Sequence, residues 1–231
     1  MNEVLRQENK FLINFRQFIE LKSKLSEIMI PDKHNGDEGY RIRSLYFDTL
    51  EDSDYEDKED GVYLRKKIRL RIYDPMSEYA MLEMKQKQGE YQRKRSLSIS
   101  RKDAKEMVDG NYSCLLRHNT PFALEVYSLM NMDVYRPKAV VEYNRMAFIA
   151  KENNTRVTFD FNIIGTESNY DIFDPLLNQN SLMEQNMIVL EVKYDGFLLS
   201  YIKDCLDEVN SSKLSVSKYC LSRSISKHYR F

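Results

Sequence analysis

Apolar and polar residues alternate strictly along much of this chain, and a period of two predicts β-strands. In "KKIRLRIYD", residues 66–74, Ile68, Leu70 and Ile72 share one face, while Arg69, Arg71 and Tyr73 share the other. "MLEMKQK" sets Leu82 and Met84 against Glu83, Lys85 and Lys87, and "RKRSLSIS" sets Leu97 and Ile99 against Lys94, Ser96 and Ser98. Further on, Val157, Phe159 and Phe161 oppose Arg156, Thr158 and Asp160, and Ile188, Leu190 and Val192 oppose Val189, Glu191 and Lys193. Near the start, Arg6, Glu8, Lys10 and Leu12 alternate with Asn9, Phe11 and Ile13. "YRIRSLYFDT" and "RPKAVVEYNRMAFIA" read as two more strands.

Helical segments are expected in four places. Phe15, Phe18, Leu21, Leu25 and Ile28 predict a helix over residues 15–29 that ends before Pro31. Ser100 can cap "RKDAKEMVDG", residues from about 114 to 132 look helical, and the chain from Phe197 onward reads as helical pieces with "SVSKY" between them. "QGE" around Gly89 suits a hairpin turn. The run "LEDSDYEDKEDG" reads as a solvated acidic connector, and residues 165–185 as a polar loop.

Strands in quick succession with tight turns imply an antiparallel sheet in an α+β protein, and about eight of them suffice to close a barrel. Strand after strand has one apolar face and one that mixes Lys or Arg with Glu or Asp. Two architectures satisfy that pattern. In a sandwich the apolar faces meet and the charged faces are wet. In a barrel with helices packed outside, the charged faces line a channel of concentrated positive potential.

Composition narrows the class. A chain of 231 residues is expected to form a single domain over 1–231. A net charge of -1 argues against a general nucleic-acid binder. No apolar run reaches the length of a membrane span, and the polar start "MNEVLRQENKF" has no signal-peptide core, so a cytoplasmic location is expected. Cys114, Cys205 and Cys220 are far apart and read as reduced thiols. His34, His118 and His228 are equally scattered, which argues against a histidine-based metal site or a Ser/His/Asp triad.

The ordered pieces "RQENKF", "YRIRSLYFDT", "KIRLRIY", "LEMKQK", "KRSLSI", "PKAVVEYNRMAF", "RVTFD", "VLEVKY" and "SVSKY" resemble the VTC domain, the polyphosphate polymerase domain of the triphosphate tunnel metalloenzyme superfamily. The resemblance selects the barrel over the sandwich and implies a basic tunnel. By that likeness Arg69, Arg71, Lys85, Arg145 and Arg156 correspond to catalytic phosphate-binding positions, and Lys10, Lys94, Tyr143, Lys193, Ser217 and Lys218 to substrate-binding ones. Glu191 corresponds to the ligand of Mn2+ or Mg2+. Glu8 and Glu83 lie on the same charged faces. The implied activity is ATP-dependent polyphosphate synthesis, with a tunnel phosphohydrolase or a non-catalytic polyphosphate-binding module as alternatives. The implied partners are ATP or another triphosphate and polyphosphate, with room for a membrane or regulatory protein partner. The residue types suit that chemistry, since a triphosphate offers dense negative charge and no apolar handle. Arginine forks pair bidentately with phosphate and lysine adds point charge.

Overall fold

The computed structural model of the chain describes residues 6–89, 91–207 and 217–228. Among these residues ten strands form one sheet: β1 (Arg6–Asn14), β2 (Ile30–Pro31), β3 (Tyr40–Asp48), β4 (Leu64–Ile72), β5 (Tyr79–Gln88), β6 (Tyr91–Ser100), β7 (Arg136–Ile149), β8 (Arg156–Thr166), β9 (Asn180–Ser181) and β10 (Met187–Asp195). Among the described residues six α-helices accompany them: α1 (Phe15–Ile28), α2 (Ser53–Glu59), α3 (Arg101–Val108), α4 (Pro121–Met132), α5 (Ser200–Asp207) and α6 (Lys218–His228). The pairing path is β1-β10-β8-β7-β3-β4-β5-β6, with β2 on β7 and β9 on β8. The β1–β10, β10–β8, β3–β4, β4–β5 and β5–β6 ladders are antiparallel, as tight connections require. The α+β class and the eight long strands are as expected. The path has two ends, so among the described residues the ladder does not close into the expected barrel.

The chain divides into two compact units. The first comprises Met1–Arg41, Tyr143–Ile163 and Ser181–Val216, and the second Ile42–Glu142, Ile164–Asn180 and Ser217–Phe231. In the first, α1 begins with a capping box in which Asn14 accepts from the Gln17 N–H and the Gln17 side chain accepts from the Asn14 N–H. Phe18, Leu21 and Leu25 of α1 and Ile202 and Leu206 of α5 bury against Val157, Phe159, Ile188, Leu190 and Val192, the apolar faces of β8 and β10. Phe15 and Ile28, at the margins of the helical stripe, stay exposed.

In the second unit, Ala104 and Met107 of α3 and Ala123, Val126 and Met130 of α4 cover the opposite residues of each strand, Leu45, Phe47, Ile68, Leu70, Leu82, Met84 and Ile99. Helices on the apolar side and charge on the other follow directly from the alternation. Gly89 has φ +55, and a Cβ there would come within 2.6 Å of the Tyr63 ring, so the "QGE" turn is built on glycine. Glu90 of that tripeptide, Arg6 as a side chain, and Ser215 and Val216 of "SVSKY" lie outside the described residues.

The acidic run 50–61 is not the solvated connector expected. Asp52 and Asp54 are 1% exposed and sit at the start of α2. Asp48, at the end of β3, accepts the backbone N–H groups of Thr49, Asp54 and Tyr55 and the Tyr219 hydroxyl. Asp52 pairs with Lys138 and Arg223, and the Tyr135 hydroxyl donates to Asp54 at 2.9 Å. Its partners come from distant sequence, which local charge density does not reveal.

Burial, and then the neighbouring Asp48 carboxylate, raise Asp54 to a pKa of about 7. A carboxyl raised on folding favours the native state at low pH, and that contribution is lost as pH rises from about 4 to about 7. Asp54→Asn keeps an acceptor for Tyr135 and removes the charge. Thermal or urea denaturation should show the variant more stable by roughly 2–4 kcal/mol at pH 8, with the gain shrinking toward pH 5. Equal gains at both pH values would contradict the assignment.

Candidate phosphate-binding site

In the second unit the ladder registers turn the alternation into a grid. Ser44 of β3 stands opposite Arg71 of β4, and Tyr46 opposite Arg69. Arg69 in turn faces Glu83 of β5, which faces Ser96 of β6. Lys67, Lys85 and Lys94 form one row across three strands. Like charges directly opposite one another cost stability unless an anion lies over them.

Glu83, 4% exposed, is a buried carboxylate at the centre of that face. Arg69 donates to its Oε2 through Nε at 2.8 Å and approaches again through Nη2 at 2.7 Å, while Lys94 pairs with Oε1. Burial alone would raise the Glu83 pKa, but Arg69, Arg71 and Lys94 outweigh it and hold it down at about 2. Arg69 also donates to the Tyr46 hydroxyl at 3.1 Å. Arg71 Nε lies 3.7 Å from Glu83 Oε2 and makes no hydrogen bond. Ser217 precedes α6, and its Oγ accepts from Lys67 at 2.7 Å. Lys218 opens α6, half-buried. The next residue, Tyr219, stacks on Tyr46 with ring centroids 5.2 Å apart. Arg69, Arg71, Lys85, Lys94, Ser217 and Lys218 therefore all belong to one unit. Lys67 joins them unforeseen, although the K-x-R-x-R spacing in 67–71 carried the signal.

The first unit holds the remaining candidates, and their charges are balanced. Glu8 and Lys193 are cross-strand neighbours, as are Lys193 and Arg156, and Lys10 stands opposite Glu191. Lys10 pairs with Glu8 at 3.1 Å and Lys193 with Glu191. Burial would lower the Lys10 pKa, yet Glu191, Glu8 and Asp160 raise it above its ordinary value. Arg145 donates to both oxygens of fully buried Asp160, at 2.6 and 2.8 Å, and lies over the Tyr143 ring. Arg156 donates to Asp32 at 2.6 Å and to the Tyr40 hydroxyl at 3.1 Å. Each cation of this face thus has a carboxylate, and the importance of Asp32 and Asp160 was not legible from periodicity.

His34 was discounted in the sequence because no second histidine or cysteine lies near it. The structure places it on the same carboxylate as Arg156: its Nδ1 meets Asp32 Oδ1 at 2.9 Å, and Arg156 holds Oδ2. The loop is fixed on β7, since Asn35 exchanges side-chain hydrogen bonds with both backbone groups of Ala147. Gly39 has φ +77, and a Cβ there would lie 2.5 Å from the Arg145 carbonyl oxygen.

Among the described residues no group of three His, Cys, Asp or Glu side chains is arranged to hold a metal ion. Glu191, 4% exposed, has Lys193 on one oxygen and Arg145 Nη2 at 3.9 Å from the other. A single carboxylate supplies at most part of the shell of a hard divalent cation, which would displace Lys193 and take phosphate oxygens and water as its other ligands. It does not fit a bare ion held by protein alone.

A family model described as the VTC domain matches residues 5–227. No curated protein matches the chain. Among solved structures, a Bacillus halodurans protein provisionally named an adenylate cyclase is similar at 13% identity and a TM-score of 0.50, over 92% of this chain and 95% of that one. The PH1819 protein of Pyrococcus horikoshii is similar at 11% identity and a TM-score of 0.47, over 96% and 99%. A conserved protein of Pyrococcus furiosus follows at 10% identity and 0.42, over 88% and 87%. At such identities the likeness concerns the fold alone, and it rests on the first.

Proposed function

We propose that this chain, which belongs to the VTC domain family, is a metal-dependent phosphotransferase that moves the γ-phosphoryl of ATP to the end of a polyphosphate chain and releases ADP. The observation that supports it best is the face on which Arg69, Arg71 and Lys94 gather around Glu83, with Lys67 and Lys85 in the adjoining row. Such an excess calls for a polyanion, and a condensed phosphate supplies it. Phosphoryl transfer asks for positioning and electrostatic stabilisation more than covalent help. Arg69 and Arg71 bind phosphoryl oxygens through their forks, and Lys67, Lys85 and Lys94 add point charge. In the first unit Lys10, Arg145, Arg156 and Lys193 bind phosphate oxygens, and the carboxylates paired with them hold those side chains in position. Tyr143 orients Arg145, and Ser217 and Lys218 add donors beside Lys67. Glu191 holds Mn2+ or Mg2+, which when bound neutralises charge on the phosphate oxygens.

A phosphohydrolase is the second reading, favoured by His34. With Nδ1–H committed to Asp32, the imidazole offers Nε2 to accept a proton from water. A polyphosphate end, already ionised, needs no such acceptor. No helix among the described residues is long and apolar enough to cross a membrane, which accords with action in the cytoplasm. A regulatory or membrane protein partner remains compatible with this reading.

The test is incubation with ATP and Mn2+ followed by phosphorus NMR. Long-chain phosphate marks the transferase and orthophosphate the hydrolase. Neither product, with tripolyphosphate still bound, marks a binding module and overturns the enzymatic reading. Glu191→Gln should raise the Mn2+ concentration needed for half-maximal turnover by about tenfold, the loss of one charge-assisted contact. It should also abolish the extra thermal stabilisation that Mn2+ adds to bound ATP. An unchanged Mn2+ titration removes Glu191 from the metal.

A further inference from the structure

The grid leaves two donors of one register pair unspent. Ser44 is fully buried, and its Oγ has no hydrogen-bond partner. Directly across the ladder, Arg71 is 7% exposed, and its Nε likewise makes no hydrogen bond. Residues so opposed bring their Cβ atoms to about 5 Å, close enough for both side chains to reach one acceptor. The neighbouring carboxylate cannot serve Arg71 fully. Glu83 Oε2 is taken by the two nitrogens of Arg69, its Oε1 pairs with Lys94, and Arg71 Nε is left 3.7 Å away.

Burying unsatisfied donors is costly, and native proteins keep few of them. Ser44 gains nothing by packing, because the apolar neighbours Leu45 and Phe47 point to the other face of β3, into the core under α3 and α4. A hydroxyl on the charged side of a strand, beside a guanidinium whose carboxylate is already spent, has one use: both N–H and O–H donate to an anion. The surrounding lysine row sets the sign of the ligand, and the small serine sets its size.

We propose that Ser44 and Arg71 form a buried oxyanion subsite that takes one phosphoryl group of a condensed phosphate, with the Ser44 hydroxyl and Arg71 Nε–H each donating to a phosphoryl oxygen. This deepens the functional reading above and rests on it. Ser44 is a binding residue that R-x-R spacing could not reveal, because it lies on a different strand and reads there as a small residue between apolar ones. It also explains a serine at a fully buried strand position, where valine or threonine would suit the ladder better.

The experiment is calorimetric titration of the full chain with tripolyphosphate, and with sulfate for comparison, on the parent, Ser44→Ala and Ser44→Cys. Ser44→Ala removes a donor that is unused without ligand, so its melting temperature should equal or exceed the parent's. Its affinity for tripolyphosphate should fall about tenfold or more, the range for a hydrogen bond to a charged acceptor. Ser44→Cys, of similar size and a weaker donor, should fall between. Sulfate, a single oxyanion, should bind weakly to all three. A parent that binds tripolyphosphate equally well with alanine at position 44 overturns the subsite and leaves the functional reading standing. A parent that does not bind tripolyphosphate at all overturns both. An alanine variant that melts early and binds normally per folded molecule makes Ser44 a packing residue.

Discussion

Glu83→Gln should destabilise the ligand-free protein by about 3 kcal/mol, as removal of one partner from a buried ion pair generally does. Glu83 is buried, and its two oxygens hold Arg69 and Lys94 with Arg71 nearby. Glutamine keeps the shape and offers one uncharged acceptor, leaving a face of adjacent cations without its anion. The penalty is moderated because the Lys94 side chain is 47% exposed and partly solvated.

Saturating tripolyphosphate should restore most of the loss, since phosphate oxygens replace the missing carboxylate. A ligand at a hundred times its dissociation constant contributes about 2.7 kcal/mol by mass action. The pH dependence has a definite sign. Folding holds Glu83 at about 2, below its ordinary 4.5, so its contribution is present above pH 4.5 and fades as pH falls toward 2. The glutamine variant should lose that part of the acid transition. Denaturant melts at pH 7 and pH 3, with and without tripolyphosphate, check all of this. A variant as stable as the parent would make Glu83 a bystander, and a destabilised variant that tripolyphosphate fails to rescue would remove the phosphate from this face.

The second large effect concerns the arginine pair. Arg69→Lys and Arg71→Lys keep the charge and lose the planar fork. A charge-assisted hydrogen bond made in the transition state is worth about 1.5–3 kcal/mol, roughly a ten- to hundredfold loss of turnover. On a face of cations that only repel one another, neither change should lower the melting temperature, because the charge is kept and no partner is lost. The structure reverses the expectation for Arg69, which meets Glu83 with two nitrogens and the Tyr46 hydroxyl with a third. Arg69→Lys should therefore lower the melting temperature modestly, whereas Arg71→Lys, whose Nε holds no hydrogen bond, should leave it unchanged. Turnover per folded molecule should fall in both. Variants that melt early and keep their turnover would make these arginines structural.

Lysine at position 71 also bears on the proposed Ser44 subsite, because an ammonium cannot reproduce the Nε–H of the residue that stands opposite Ser44 in the ladder. Its affinity for tripolyphosphate should fall along with turnover.

Several features were determined by the sequence itself. The period of two placed Ile68, Leu70 and Ile72 against the helices and Arg69 and Arg71 on the opposite face, because side chains of a strand can only alternate. The helix over 15–28 was written in the spacing of Phe18, Leu21 and Leu25, while its Asn14 capping box emerged only in the fold. Cross-strand register was not legible, since it depends on which strands pair and at what offset. Only the folded ladders put Lys67, Lys85 and Lys94 in one row, or Ser44 opposite Arg71.

The partners of buried charges were equally out of reach. Asp52 and Asp54 look like solvated acids until Lys138, Arg223 and Tyr135 arrive from distant segments. His34 looks solitary until Asp32 joins it to Arg156, more than a hundred residues away. Local sequence sets which face a side chain takes. Ionisation and pairing depend on burial and on charges that only tertiary packing brings within a few ångströms.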